Sequence, residues 1–181
     1  WLEEMLQLCQ QKDVGMVGAK LYYPDDTIQH AGVVVGLGGV AAHVLCKLPR
    51  DAEGYMGRLR CVQEISAVTA ACMMVKTSVF KAVGGFDEEL KVAFNDIDLC
   101  MKVRKYGVKI VFTPYAELYH YESKSRGMED TPEKQLRFSR EVNCFRRKWE
   151  RELLKGDPYY NPNLTLNNTD CYLRKQEKNG D

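Results

Sequence analysis

Two aspartates stand one residue apart in the stretch AFNDIDLCMKVRKYG, residues 93–107. A carboxylate aimed into a cleft can take a proton from a hydroxyl, and one facing a cation can bind it. The same residues can also simply begin a helix. Asn95 or Asp96 would then be the cap, with Asp98 in the first turn, where the positive end of the helix dipole favours acid. On a regular helix, positions two apart do not face each other, so the pair cannot share one ligand. One can project outward while the other holds the turn. Spacing alone leaves both readings open.

A second stretch with chemistry in it is LYHYESKSRG, residues 118–127. A lone histidine among aromatics is usually structural, but His120 is followed closely by Glu122, Ser123, Lys124, Ser125 and Arg126. Such a segment can offer a metal ligand and anion-binding donors together. The H-x-E spacing also occurs in zinc deaminases, yet no P-C-x-x-C follows, which excludes that class. His30 and His43 are too isolated to build a zinc site from sequence. The glycines of GLGG, residues 36–39, lack the spacing and the following helix of a phosphate cradle.

Several elements must position these residues. Trp1, Leu2, Met5, Leu6 and Cys9 share one face at helical spacing, and DVGMVGAKLYY reads as a strand after it. IQHAGVVVGLGG is a second extended segment. The apolar run ISAVTAACMMV, residues 65–75, predicts a strand buried on both faces. Thr77 or Ser78 can cap a short helix that stops at Gly84-Gly85. After the Asp pair, Ile97, Cys100, Met101 and Arg104 keep a helical period to Gly107. VKIVFT predicts a short strand before Pro114, and AELYHYES another. Thr131-Pro132-Glu133 combines cap, proline and acid at a helix start. Phe138, Val142, Phe145, Trp149 and Leu153 then line one face, and the arginines and lysines around them read as a solvated side. Alternating helices and apolar strands indicate an α/β layered architecture.

Composition sets the outer bounds. Across 181 residues, 26 Lys+Arg against 25 Asp+Glu leave a formal charge of +1, so no global field draws the chain to nucleic acid. No apolar run approaches the roughly 20 residues that cross a bilayer. The seven cysteines are scattered, with no C-x-x-C pair, which favours a reducing, cytoplasmic compartment.

Residues 65–127, from ISAVTAACMMV through GGFDEEL and the Asp pair to TPYAELYHYESKSRG, resemble the second half of the catalytic domain of family 2 glycosyltransferases, the rhamnosyltransferase-like group with a GT-A fold. YYPDDTIQHAGVVVGLGG and the later DPYYNPNLTL are similar to the same group, so the likeness runs over residues 1–166. The resemblance implies a GT-A-like nucleotide-sugar transferase fold, a mixed sheet with flanking helices. It places the nucleotide-binding strands and the Asp-x-Asp metal motif ahead of the segment WLEEML. With Trp1 rather than Met first, the chain is expected to lack that N-terminal half. Residues 1–155 are then the acceptor-side part of the catalytic domain, and 156–181 an extended C-terminal tail.

The resemblance also assigns roles. The family's acidic pair reads Glu-Asp, and its Asp is the general base; here the pair is Asn95-Asp96, which keeps the Asp and replaces the acid by an amide. Asp96 is the implied base, and Asp98 holds the turn. Asn95, Asp98, Ser123, Arg126 and His30 are implied near the substrate, and His120 as a ligand of a magnesium or manganese ion. The implied activity is inverting transfer of a sugar from a nucleotide-sugar donor to a glycan acceptor hydroxyl, in cell-surface polysaccharide assembly. Peripheral membrane association and a homo-oligomer are both open to the full protein. The alternative is a non-catalytic carbohydrate-binding or interaction module on the same fold. A metal-dependent hydrolase built on Asp96, Asp98 and His120 is poorer, because no second ligand cluster accompanies them.

Overall fold

The computed structural model describes residues 1–121 and 131–175. Among the described residues, five α-helices and seven strands follow in chain order: α1 (Leu2–Cys9), β1 (Val14–Tyr22), β2 (Ile28–His30), β3 (Val33–Val35), β4 (Ala41–His43), β5 (Gln63–Glu64), β6 (Met73–Val75), α2 (Thr77–Ala82), α3 (Asn95–Lys105), β7 (Lys109–Tyr119), α4 (Pro132–Lys148) and α5 (Glu150–Lys155). The architecture is the expected mixed α/β fold, consistent with a GT-A-like topology.

Strand β1 is the spine. Every residue from Val14 to Tyr22 is buried, because layers cover both its faces. Val17, Ala19 and Leu21 pack with Met5 and Cys9 of α1, whereas Met16 and Tyr22 join the larger core beneath α3 and α4. β7 runs parallel to β1, with Val17 opposite Val111 and Leu21 opposite Leu118. β6 and β2 pair antiparallel with successive parts of the other β1 edge, and β5 pairs antiparallel with the far side of β7. β3 and β4 form a separate two-stranded ribbon.

Three expectations change. The run 65–75 is not one strand: Ile65, Ala67 and Val68 are buried in the core, a 3₁₀ turn occupies Ala70–Cys72, and only Met73–Val75 enter the sheet, partly exposed. The two short strands expected around Pro114 are a single β7. Its register jumps from Thr113 opposite Ala19 to Glu117 opposite Lys20, so Pro114, which has no N–H to offer a ladder, sits in a bulge. The apolar face expected of α1 is split, with Met5 and Cys9 buried while Trp1, Leu2 and Leu6 are exposed.

The start of α4 is as expected, Thr131 Oγ1 accepting from Lys134 N at 3.3 Å. The helix breaks at Trp149, and α5 continues from Glu150. Phe145 and Trp149 are buried, but Phe138 stays 41% exposed, so the predicted stripe is packed only in its later turns. Residues 156–175 are irregular yet docked. Asp157 Oδ2 accepts from Val35 N at 2.8 Å, Leu166 O from Gly38 N at 2.9 Å and Thr169 O from Leu45 N at 2.8 Å. Leu164 and Cys171 are buried there.

Candidate active site

The parallel strands β1 and β7 both end near the three histidines, and the N-terminus of α3 opens beside the 3₁₀ turn at the same end. Asp96 is in the first turn of α3 and partly exposed. Its Oδ2 accepts from Ala70 N at 3.0 Å, and its Oδ1 from its own neighbour Ile97 N at 2.9 Å. Each oxygen therefore takes one amide hydrogen. A carboxylate offers about four lone-pair sites, so the pinned group keeps acceptor capacity on its exposed side. The amides set its direction without using it up.

The backbone around it is held from α4. Phe94, the residue before α3, has φ +63°, a left-handed conformation that is costly for a non-glycine side chain. Its ring lies 5.4 Å from Phe145 and 5.8 Å from Phe138, centroid to centroid. Glu141, buried on α4, accepts from Lys91 N at 3.1 Å, Val92 N at 3.2 Å and Ala93 N at 2.8 Å. Three successive amides leading into α3 are thus gripped by one carboxylate. Sequence reading missed Glu141, which sits in a helix whose charges otherwise read as a solvated face. Asn95 occupies the first helical position, partly exposed.

Asp98 has no exposed surface, so its placement next to the substrate is corrected. Its Oδ1 accepts from Trp149 Nε1 at 2.8 Å and meets Lys148 Nζ at 2.7 Å, and its Oδ2 lies 3.1 Å from Lys102 Nζ. Burial pushes the Lys148 ammonium down, but Asp87 and Asp98 outweigh it and hold the group above its ordinary value. Asp98 thus ties α3 to the end of α4 through side chains, rather than bonding the backbone of its own turn.

His30 is also corrected: it is fully buried and cannot touch a ligand. Its Nε2 accepts from Thr69 N at 3.4 Å, and its Nδ1 is 3.1 Å from His43 Nδ1. Burial first, then the charges His43 and His120 would carry, hold its pKa well below the usual imidazole value. The Thr69 amide points to His30 and the next amide, Ala70, to Asp96. His30 therefore acts through the turn that orients the carboxylate.

His120 follows β7 directly, its N–H donating to Tyr22 O at 2.9 Å, and its Nδ1 is buried with no hydrogen-bond partner. That unpartnered nitrogen suits a ligand, but one nitrogen does not hold a cation. Among the described residues no group of three or more His, Cys, Asp or Glu could hold a metal ion, so these residues alone do not fit the expected cation. Ser123 and Arg126 lie outside the described residues.

A cleft of about 570 Å³ among the described residues is elsewhere, beside Arg104, Lys105 and Lys109. At 1.5 Å per residue, Arg104 lies about 12 Å along α3 from Asp96.

Comparison with known proteins places the chain among transferases. Residues 1–140 match the family described as "Glycosyltransferase like family 2". The chain is 58% identical over 174 residues to an uncharacterised protein of Sinorhizobium fredii, covering 96% of this chain and 19% of that protein. It is 39% identical over 182 residues to the O-antigen biosynthesis protein RfbC of Myxococcus xanthus, covering 100% of this chain and 14% of that one. Over 62 residues it is 36% identical to the N-acetylglucosaminyl-diphospho-decaprenol L-rhamnosyltransferase of Mycobacterium tuberculosis, covering 34% of this chain and 20% of that enzyme. The chain thus spans a fifth or less of the length of these relatives. None of its described helices is long and apolar enough to cross a membrane.

Proposed function

This chain belongs to glycosyltransferase-like family 2, and from that premise we propose that it is the acceptor-side part of an inverting transferase whose general base is Asp96. The observation that carries the reading is the doubly pinned yet partly exposed carboxylate of Asp96. In the proposed step, Asp96 takes the proton of an acceptor hydroxyl while that oxygen bonds to the anomeric carbon of a nucleotide-activated sugar. The bond from that carbon to the diphosphate breaks on the opposite face, and the electron pair leaves with the diphosphate. A base so placed contributes about 10²–10⁴-fold.

The names of the O-antigen and rhamnosyltransferase relatives support a role in cell-surface polysaccharide assembly. A magnesium or manganese ion is part of this reading only if ligands outside the described residues hold it; His120 Nδ1 would then be one contact among them. None of the seven cysteines is in a disulfide, which supports a reducing, cytoplasmic setting.

The test uses the complete protein with Asp96→Asn. Transfer is expected to fall by about 10²–10⁴-fold while nucleotide-sugar affinity stays within about 2-fold. Unchanged turnover rejects the base. The second reading, a non-catalytic carbohydrate-binding module, draws on Asn95 standing where the family has an acid. It predicts glycan binding by the complete wild-type protein without transfer from any of a panel of nucleotide sugars.

A further inference from the structure

The 570 Å³ cleft lies between the C-terminal end of α3, the start of β7 and the segment after α5, away from Asp96. Its size falls within the usual range for small-molecule sites. Its apolar wall includes Val35, Met101, Val108 and Trp149.

Its polar rim is one-sided. Lys109 is neutralised by Asp13 at 2.9 Å and Glu64 at 2.7 Å. Arg104, Lys105 and Lys155 have no carboxylate partner among the described residues, and Glu152 is the single acid on the lining. The arginine is held in place rather than free. Its Nη1 donates to Ser66 Oγ at 3.1 Å, and its guanidinium carbon lies 5.5 Å from the Tyr159 ring centroid. Basic residues in the last turn of a helix also offset its dipole, which accounts for an exposed Lys105. It accounts in the same way for Lys155 at the end of α5, but not for a half-buried arginine fixed by a hydroxyl and a ring, nor for the ends of two helices bringing their cations to one cleft.

We propose that this cleft binds a phosphate ester carried on an apolar body, with Arg104, Lys105 and Lys155 taking the phosphate oxygens and the Trp149 wall taking the body. Phosphate suits three convergent cations better than a single carboxylate does, since it has more charge and more acceptor oxygens. The site stands apart from the transferase reading and does not depend on it.

The experiment titrates the chain with phenyl phosphate, inorganic phosphate and benzoate, followed by amide NMR and calorimetry. Saturable phenyl phosphate binding is expected, with shifts clustered at residues 104–109 and 155–159. Its affinity should exceed that of the other two by at least about 10-fold. Lys105→Glu with Lys155→Glu should weaken it by at least about 10-fold, while reversal of two remote exposed lysines, Lys12→Glu with Lys81→Glu, leaves it unchanged. Retained circular dichroism separates lost binding from lost fold, and Arg104→Lys, which keeps the charge, should give an intermediate loss. Sedimentation with phosphatidylcholine vesicles, with and without phosphatidic acid, separates a lipid headgroup from a soluble ester. Capture by phosphatidic acid that the double reversal abolishes identifies a lipid, and phenyl phosphate binding without capture identifies a soluble ester. Absence of both, equal binding of benzoate, or indifference to the Lys105 and Lys155 reversal overturns the proposal.

Discussion

At the residue scale, the informative side chains near Asp96 are those that never meet solvent. His30 is fully buried, with its pKa held well below 6.5 by burial and by its histidine neighbours. An unfolded chain binds a proton at that imidazole near pH 6.5, and the folded one does not until lower pH. Stability is therefore intact above about pH 6.5 and falls as the pH drops towards the folded value, by up to about 1.4 kcal/mol per pH unit. His43 and His120 face the same ring, so the measurement is comparative. Urea midpoints of wild type and His30→Gln, taken from pH 7.5 to 5, should converge as the pH falls. Parallel curves would remove His30 as the sensor. Glu141 makes the second residue-scale prediction. Glu141→Gln turns one acceptor into an NH₂ that opposes the amides of Lys91–Ala93, costing about 1–3 kcal/mol. Hydrogen exchange at residues 91–96 should quicken more than the global loss requires; uniform exchange would deny the clamp.

Elements whose pattern comes from local periodicity were legible in the sequence, and those shaped by distant partners were not. β1 and α4 announce themselves through apolar runs and through Thr131-Pro132-Glu133. The run 65–75 misleads because its apolar residues are buried by different neighbours: Val68 under β1, Met73–Val75 at a sheet edge. The Asp pair was legible as a site, but the division of labour between Asp96 and Asp98 was not. It depends on Trp149 and Lys148, some fifty residues away. His30 and Glu141 carry no local signal for the contacts they make. Gly18 shows how closely such neighbours approach. A Cβ built there would meet Val68 Cγ1 at 2.3 Å and Val68 Cβ at 2.6 Å, so Gly18→Ala should cost about 1–3 kcal/mol. Paired with Val68→Gly, the loss in chemical denaturation should be smaller than the sum of the two single losses. Simple additivity would mean that the strand and loop move apart freely.

At the scale of the whole molecule, the sheet presents an edge at β6 that no other described strand pairs. β6 pairs with β1 alone, and its three residues are all partly exposed. Next to it α1 packs Met5 against Cys72, yet leaves Trp1 at 59%, Leu2 at 53% and Leu6 at 45% exposure. An open strand edge beside an apolar helix face is a template for association. In a chain that spans a fifth or less of its relatives' length, the surface is expected to find a second copy when the 181 residues are studied alone. Sedimentation velocity should then show concentration-dependent growth beyond the monomer. Leu2→Lys with Leu6→Lys should return the chain to monomer without altering its circular dichroism, because neither side chain belongs to the buried core. The same two substitutions in the complete protein distinguish the occupants. If other parts of the longer protein cover this face, they should lower thermal stability there by about 1–3 kcal/mol, whereas in the isolated chain they change assembly and leave folding nearly untouched. A wild-type chain that stays monomeric up to the highest soluble concentration would show that β6 and α1 need no cover.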